Sequence, residues 1–147
     1  MTPCTMEPPV HMHIQSRPEL LAQVRGVANA MAARCGLDDL ACCHLVLAMD
    51  EALTNVIRHG YEGRTDGDIW ITFTALAEPA GIRVEILDRA RQVDPQAISG
   101  RDLEDVRPGG LGLHLMRTLV DTFEHTARPD GGMRVLLEKR ATPATAD

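Results

Sequence analysis

Polar and apolar residues alternate at the start of the chain. In "VHMHIQS", Val10, Met12 and Ile14 fall on one side and His11, His13 and Gln15 on the other. A period of two predicts a half-buried strand. The period then lengthens. Leu20, Leu21, Val24, Val27, Ala28 and Met31 recur at helical spacing, and Gly36 stands where that helix should end. Ser16, with Glu19 three residues on, reads as a capping box at its start. Asp38 or Asp39 should cap a second helix through Leu45, Leu47 and Met49, continuing to Ala52, Leu53, Val56 and Ile57 and stopping at Gly60. "YEGRTDGD" is a loop by composition. "IWITFTAL" and "IRVEILD" are alternating, β-rich runs joined by "AEPAG", which predicts an antiparallel hairpin. After an irregular, charged stretch over residues 89–108, "GGLGLHLMRTLVD" opens a helix with Leu111, Leu115, Leu119 and Val120 on its inner side. "TFEHTA" and "MRVLLEK" flank "RPDGG" and predict a second hairpin.

The order is therefore strand, two helices, two strands, long loop, helix, two strands. It predicts an α/β fold of the α+β kind: a two-layer sandwich with helices packed on one face of a mixed, largely antiparallel sheet. The other sheet face must be solvated or covered by a partner. One domain is expected over residues 10–140, with flexible tails at 1–9 and 141–147. A chain of 147 residues, 44% apolar and 24% charged, suits a single core of ordinary size.

Charge and cysteine usage narrow the function classes. A net charge of −6 without a basic block argues against direct nucleic-acid binding. No apolar run is expected to span a bilayer, and "MTPCTMEPPV" lacks the basic start and apolar core of a signal peptide. A soluble, cytoplasmic protein is the expectation. Cys4, Cys35, Cys42 and Cys43 contain no C-x-x-C pair and make a poor disulfide framework. Buried or half-buried thiols are the better reading than metal ligands, and His11 with His13 reads as a polar sheet face.

Three features carry candidate chemistry. In "DEALTNVIRHG", Glu51 and Asn55 lie four apart on a helix that is otherwise apolar, so a carboxylate and an amide stand one turn from each other. A solvated face would explain them. So would a site needing an acid–base group beside a metal ligand. In "RPGGLGLHL", Gly109, Gly110 and Gly112 precede and enter a helix, where free N–H groups can meet an anion; a small-residue helix contact is the bland alternative. Neither the dinucleotide fingerprint nor the P-loop pattern fits. Asp88 closes the strand "IRVEILD", either as a turn residue or as an acceptor at a pocket mouth.

Together, E-x-x-x-N on a helix, Asp after a strand and G-G-x-G-L opening a helix resemble the GHKL family of ATP-binding domains. Within it the chain is similar to the small anti-sigma-factor serine kinases of bacterial partner-switching systems. "DEALTNVIRHGY" and "GGLGLHLMRTLVD" match two of that family's boxes closely and "DRARQVDP" a third loosely, over roughly residues 10–140. The resemblance implies a Bergerat (GHKL) fold with ATP and Mg²⁺ as cofactors. It makes Glu51 the base or orienter for the attacking hydroxyl and Asn55 the metal ligand. It makes Asp88 the acceptor of the adenine amino proton, with Ala90 beside the adenine. Gly109, Gly110, Leu111, Gly112 and Leu113 would lie at the phosphates, under a lid over about 92–108. The implied partners are an antagonist protein of the anti-anti-sigma, STAS type and a sigma factor or equivalent regulator, with a homodimer expected and no membrane contact.

Two positions depart from the family pattern. The first box reads roughly D-x-G, but here it is Asp88-Arg89-Ala90, so Ala90 is expected to carry a left-handed backbone at about 1 kcal/mol of strain. Met133 stands where a Thr is usual, which should remove a hydrogen bond to the adenine. The competing functions are a partner-binding module with vestigial nucleotide binding, and a separated histidine-kinase catalytic domain. For the second of these, His59 is expected to cap or pack at the helix end, not to receive phosphate.

Overall fold

The computed structural model describes residues 7–91, 114 and 116–142. The elements follow the alternation closely. Strand β1 is Val10–Gln15 and helix α1 is Leu21–Arg34, entered through a 3₁₀ turn at Pro18–Leu20. Helix α2, Asp39–Asn55, runs on into a π-helical turn, Val56–Gly60. Strands β2 (Asp68–Leu76), β3 (Gly81–Asp88), β4 (Thr122–Ala127) and β5 (Met133–Arg140) complete the sheet. Residues 114 and 116–119 are helical, as expected for that stretch.

The sheet order is β1-β2-β3-β5-β4, and each neighbouring pair is antiparallel, so the mixed character expected is not found among the described strands. Hairpins are the cheapest way to join neighbouring antiparallel strands. Both expected hairpins form, β2–β3 and β4–β5. On the inner face Ile69, Ile71, Phe73, Ile82, Val84, Ile86, Val135 and Leu137 are buried beneath the helices. The outer face carries ion pairs between Arg83 and Glu138 (2.6 Å) and between Arg134 and Glu85 (2.7 Å). His11 and His13 belong to this polar face, hydrogen-bonded to Thr72 and Asp68, with the His13 ring stacked on Trp70.

Helix α1 buries Leu21, Val24, Ala28, Met31 and Ala32 and stops as expected, with Gly36 at φ +93° just past its end. Asp38 caps α2, its carboxylate accepting from the Ala41 N–H at 2.8 Å. With its π-turn, α2 is long and apolar enough to cross a membrane by length and composition alone, contrary to the sequence-based expectation. Its apolar positions are consumed otherwise. Ala41, Cys42, Leu45, Ala48, Met49, Ala52, Leu53, Val56 and Ile57 are buried. Leu40 and Leu47 are its exposed large apolar residues. Cys35 and Cys42 are buried, whereas Cys43 is exposed on α2 and corrects the buried reading for that residue. Late in the chain Met116, not placed inside by the pattern, is buried beside Val120.

The capping box at Ser16 does not form. The residue before the 3₁₀ turn is Arg17, with no side-chain cap. Ser16 is instead buried and ties the end of β1 to the loop before β2. Its N–H donates to the Gly67 carbonyl (2.8 Å), its Oγ accepts from the Gly67 N–H (2.9 Å), and its hydroxyl donates to the Arg64 carbonyl (2.5 Å). A serine can satisfy a loop as readily as a helix end, because it offers the same donor and acceptor to either. Ser16→Ala should therefore cost about 1–3 kcal/mol in denaturant unfolding, through buried backbone groups left unpaired. Glu19→Ala should change stability by no more than about 0.5 kcal/mol; a capping box would make the glutamate matter comparably.

Candidate functional site

The site is built where α2 ends and β3 ends. Glu51 and Asn55 are half-buried on the last turns of α2. Their neighbours Ala52, Leu53 and Val56 are in the core, so the helix cannot rotate to release them. Among the described residues neither side chain has a hydrogen bond or ion pair. An acid and an amide held this way, one turn apart on a rigid element, can engage a ligand without first breaking a protein contact.

The chain then widens into the π-turn, where the Tyr61 N–H donates to the Val56 carbonyl at 2.9 Å. Single π-turns are found frequently at functional sites. Here the turn delivers Gly60 and Tyr61 against the residues after Asp88. A Cβ placed on Gly60 would lie 2.8 Å from the Ala90 Cβ. The Tyr61 Oη accepts from the Arg89 N–H at 2.9 Å. The helix carrying Glu51 and Asn55 and the strand carrying Asp88 thus meet at one end of the sheet.

Asp88 is 2% exposed. Its Oδ1 accepts from the Ala90 N–H (2.8 Å) and the Met133 N–H (3.1 Å), while its backbone carbonyl accepts from the Arg128 guanidinium (2.7 Å). No donor among the described residues reaches Oδ2. Burial pushes the carboxyl above its ordinary range, against the opposing pull of the two N–H bonds and of His125 and Arg128. His125 on β4 is pushed down by burial, with Asp88 opposing and Arg117 adding to the shift. The β4–β5 turn must come very close to permit this. At Gly132, with φ +86°, a Cβ would sit 1.9 Å from the Asp88 carbonyl oxygen, so no other residue fits.

One expectation changes. Ala90 is not strained: among the described non-glycine residues only Glu62 has a positive φ. Ala90 is buried, its N–H held by Asp88, and its methyl occupies the space that Gly60 leaves open. The Met133 backbone supplies one of the two N–H groups that hold Asp88. Tyr61 was not singled out by the sequence; its signal is a lone tyrosine directly after the helix-ending glycine. The expected phosphate residues Gly109, Gly110, Leu111, Gly112 and Leu113, and the lid at 92–108, lie outside the described residues.

A buried carboxylate with one open oxygen and a half-buried acid–amide pair leave polar groups available to a ligand at this corner. Comparison with known proteins gives the family. The family of histidine kinase-like ATPase domains matches residues 14–139, and the chain belongs to it. Among its relatives, a serine-protein kinase RsbW from Listeria monocytogenes serotype 4a is 29% identical over 142 residues, covering 92% of this chain and 88% of that protein. The serine-protein kinase RsbW of Bacillus thuringiensis is 31% identical over 141 residues, covering 88% and 83%. A crystal structure of the RsbU and RsbW domains of a Mycobacterium tuberculosis protein has the same fold. It superposes on 91% of this chain and 32% of that one, with a TM-score of 0.66 at 24% identity.

Asp88 should cost the fold stability at neutral pH. An acid whose carboxyl is raised on folding is most favourable to the folded state below its unfolded value and loses that contribution as pH rises through the folded value. Asp88→Asn should therefore melt at or above the wild-type temperature at pH 7, with the advantage narrowing as pH falls toward the ordinary carboxyl value of 3.8. Equal loss of stability at every pH would contradict the burial account. At the neighbouring contact, Ala90→Gly alone should cost about 0.5–1 kcal/mol through unfolded-state entropy. Gly60→Ala should destabilise by about 1–3 kcal/mol through overpacking, and the double variant should recover part of that loss in chemical denaturation.

Proposed function

We propose that the protein is an ATP-dependent serine/threonine protein kinase acting as an anti-sigma-type switch. It phosphorylates a small antagonist protein of the STAS type and sequesters a sigma factor or equivalent regulator. The observation that carries this reading is the junction of two incomplete sites: Asp88 with an open carboxylate oxygen, and Glu51 with Asn55 unpartnered at the end of the helix that abuts it. Membership of the ATPase family and the printed names of the relatives support the same reading.

Bound ATP with Mg²⁺ supplies the phosphoryl group and the metal charge that offsets its phosphates. The chain's own groups then divide the work. Asp88 Oδ2 accepts from the exocyclic amino group of adenine, which selects adenine over a base lacking that donor. Asn55 offers its amide oxygen to the metal; a magnesium site of this kind commonly takes only one or two protein oxygens. Glu51, one turn earlier, holds the substrate hydroxyl and takes its proton. Gly109, Gly110, Leu111, Gly112 and Leu113, which lie outside the described residues, are the groups the family resemblance implies at the phosphates.

Ala90 and Met133 do not argue for a vestigial site. Neither side chain occupies the open oxygen of Asp88, and both backbones help hold the carboxylate. The relatives' serine-kinase names favour the serine/threonine reading over a separated histidine-kinase domain. The same reading takes a homodimer working in the cytoplasm, away from nucleic acid and membrane. A net charge of −6 without a basic block accords with this, as does a central helix whose apolar stripe is spent on the core.

Asn55→Ala should abolish the Mg²⁺-dependent part of ATP binding in isothermal titration while leaving the melting temperature near wild type. Equal Mg²⁺-dependent binding by both proteins would remove Asn55 from the metal. Glu51→Gln should retain ATP binding and slow phosphoryl transfer to the antagonist by on the order of 10² to 10⁴, read by phosphosite mapping and rate. Transfer at the wild-type rate would take the base role from Glu51.

A further inference from the structure

The chain's single tyrosine is 3% exposed and follows the π-turn directly. Its hydroxyl makes two backbone bonds to separate strands. It donates to the Asp68 carbonyl at the start of β2 (2.5 Å) and accepts from the Arg89 N–H just past the end of β3 (2.9 Å). Those two strand ends are neighbours in the sheet, with Ile69 opposite Asp88. The ring reaches them only because residue 67 is glycine: a Cβ there would lie 2.5 Å from the ring carbons. Gly67 is in turn fixed by two bonds to Ser16, whose hydroxyl also donates to the Arg64 carbonyl.

The hydroxyl must be neutral to donate and accept at once. Burial keeps it so by pushing its ionisation upward. The two groups it satisfies also sit on either side of the functional junction. The Tyr61 backbone is bonded to Val56, the residue after Asn55. Arg89 lies between Asp88 and Ala90, whose own N–H is held by the Asp88 side chain. Four bonds therefore set the direction in which Asp88 Oδ2 points: Ala90 and Met133 to the carboxylate, Arg128 to the Asp88 carbonyl, and Arg89 to Tyr61. Only the last reaches back to the helix carrying Glu51 and Asn55.

We propose that Tyr61 is a positioning residue for nucleotide recognition: its hydroxyl locks the Asp88-Arg89-Ala90 turn to the end of the α2 helix, so that the adenine-accepting oxygen and the phosphate-end pair keep one fixed spacing. This rests on the reading that Asp88 accepts the adenine amino group. A tyrosine that served only the core would support folding without affecting which base is bound. A positioning tyrosine controls the choice of base.

Isothermal titration of the full chain with Mg²⁺ and either ATP or purine riboside triphosphate, which lacks the 6-amino group, separates these cases. The wild type should prefer ATP. Tyr61→Phe keeps the ring and removes the hydroxyl. It should bind ATP about fivefold more weakly, the scale of one lost hydrogen bond, and bind the des-amino nucleotide nearly unchanged. If the variant keeps the full preference, or weakens both nucleotides alike, the positioning role is overturned while the Asp88 reading stands. If the wild type itself does not distinguish the two nucleotides, the Asp88 reading falls and the proposal with it. Hydrogen exchange on the wild type gives a second measure that needs no folded variant. The Arg89 amide should exchange as slowly as the amides of β3, and fast exchange there would overturn the lock.

Discussion

A carboxylate buried at the end of a strand sets the terms for this molecule. Asp88 cannot be hidden from water without partners, since an unpaired buried charge costs several kcal/mol. Backbone N–H groups from two directions meet that demand, Ala90 on its own turn and Met133 on the β4–β5 hairpin. Each imposes a further condition. The hairpin can approach only with glycine at position 132, and Ala90 can be buried only with glycine at position 60. Even so, the carboxyl is raised, so the fold tolerates the group more than it benefits from it. The open oxygen is the feature on which the proposed adenine contact rests, in a chain that belongs to the histidine kinase-like ATPase domains.

The second constraint is the long central helix. Its buried stripe from Ala41 to Ile57 anchors it over the sheet, and that same stripe fixes where Glu51 and Asn55 stand. The π-turn that follows changes the helical phase just before Tyr61, which lets the tyrosine turn inward at the sheet corner. Core packing, a local irregularity in the helix and one side-chain hydroxyl together bring two distant sequence motifs to the same place. No single one of them would suffice, because α2 and β3 are separated by the 61–67 loop and the whole of β2.

Most of this fold was legible in the pattern of residues. Alternation located all five strands, and helical spacing located α1 and α2 with their Asp38 cap and Gly36 stop. What failed did so for identifiable reasons. Ser16 and Glu19 have the spacing of a capping box, but spacing does not reveal that the loop at Gly67 competes for the same hydroxyl. Ala90 looked strained because a sequence shows the added methyl and not the gap opposite it at Gly60. Tyr61 went unremarked because its role depends on two strand ends that are close only in space. The placement of Glu51 and Asn55 on one helix, one turn apart, was legible because polar residues at adjacent turns of an apolar helix stand out in one dimension.

The central claim is that the end of α2 and the end of β3 form a single nucleotide site. Nuclear magnetic resonance of the full chain titrated with ATP tests it directly, with Mg²⁺ in one series and paramagnetic Mn²⁺ in the other. The account predicts that the Ala90 and Met133 amides shift over the same ATP concentrations at which the Asn55 side-chain amide is broadened by Mn²⁺. Shifts at the strand end without broadening at Asn55, or the two responses appearing at separate concentrations, would contradict it.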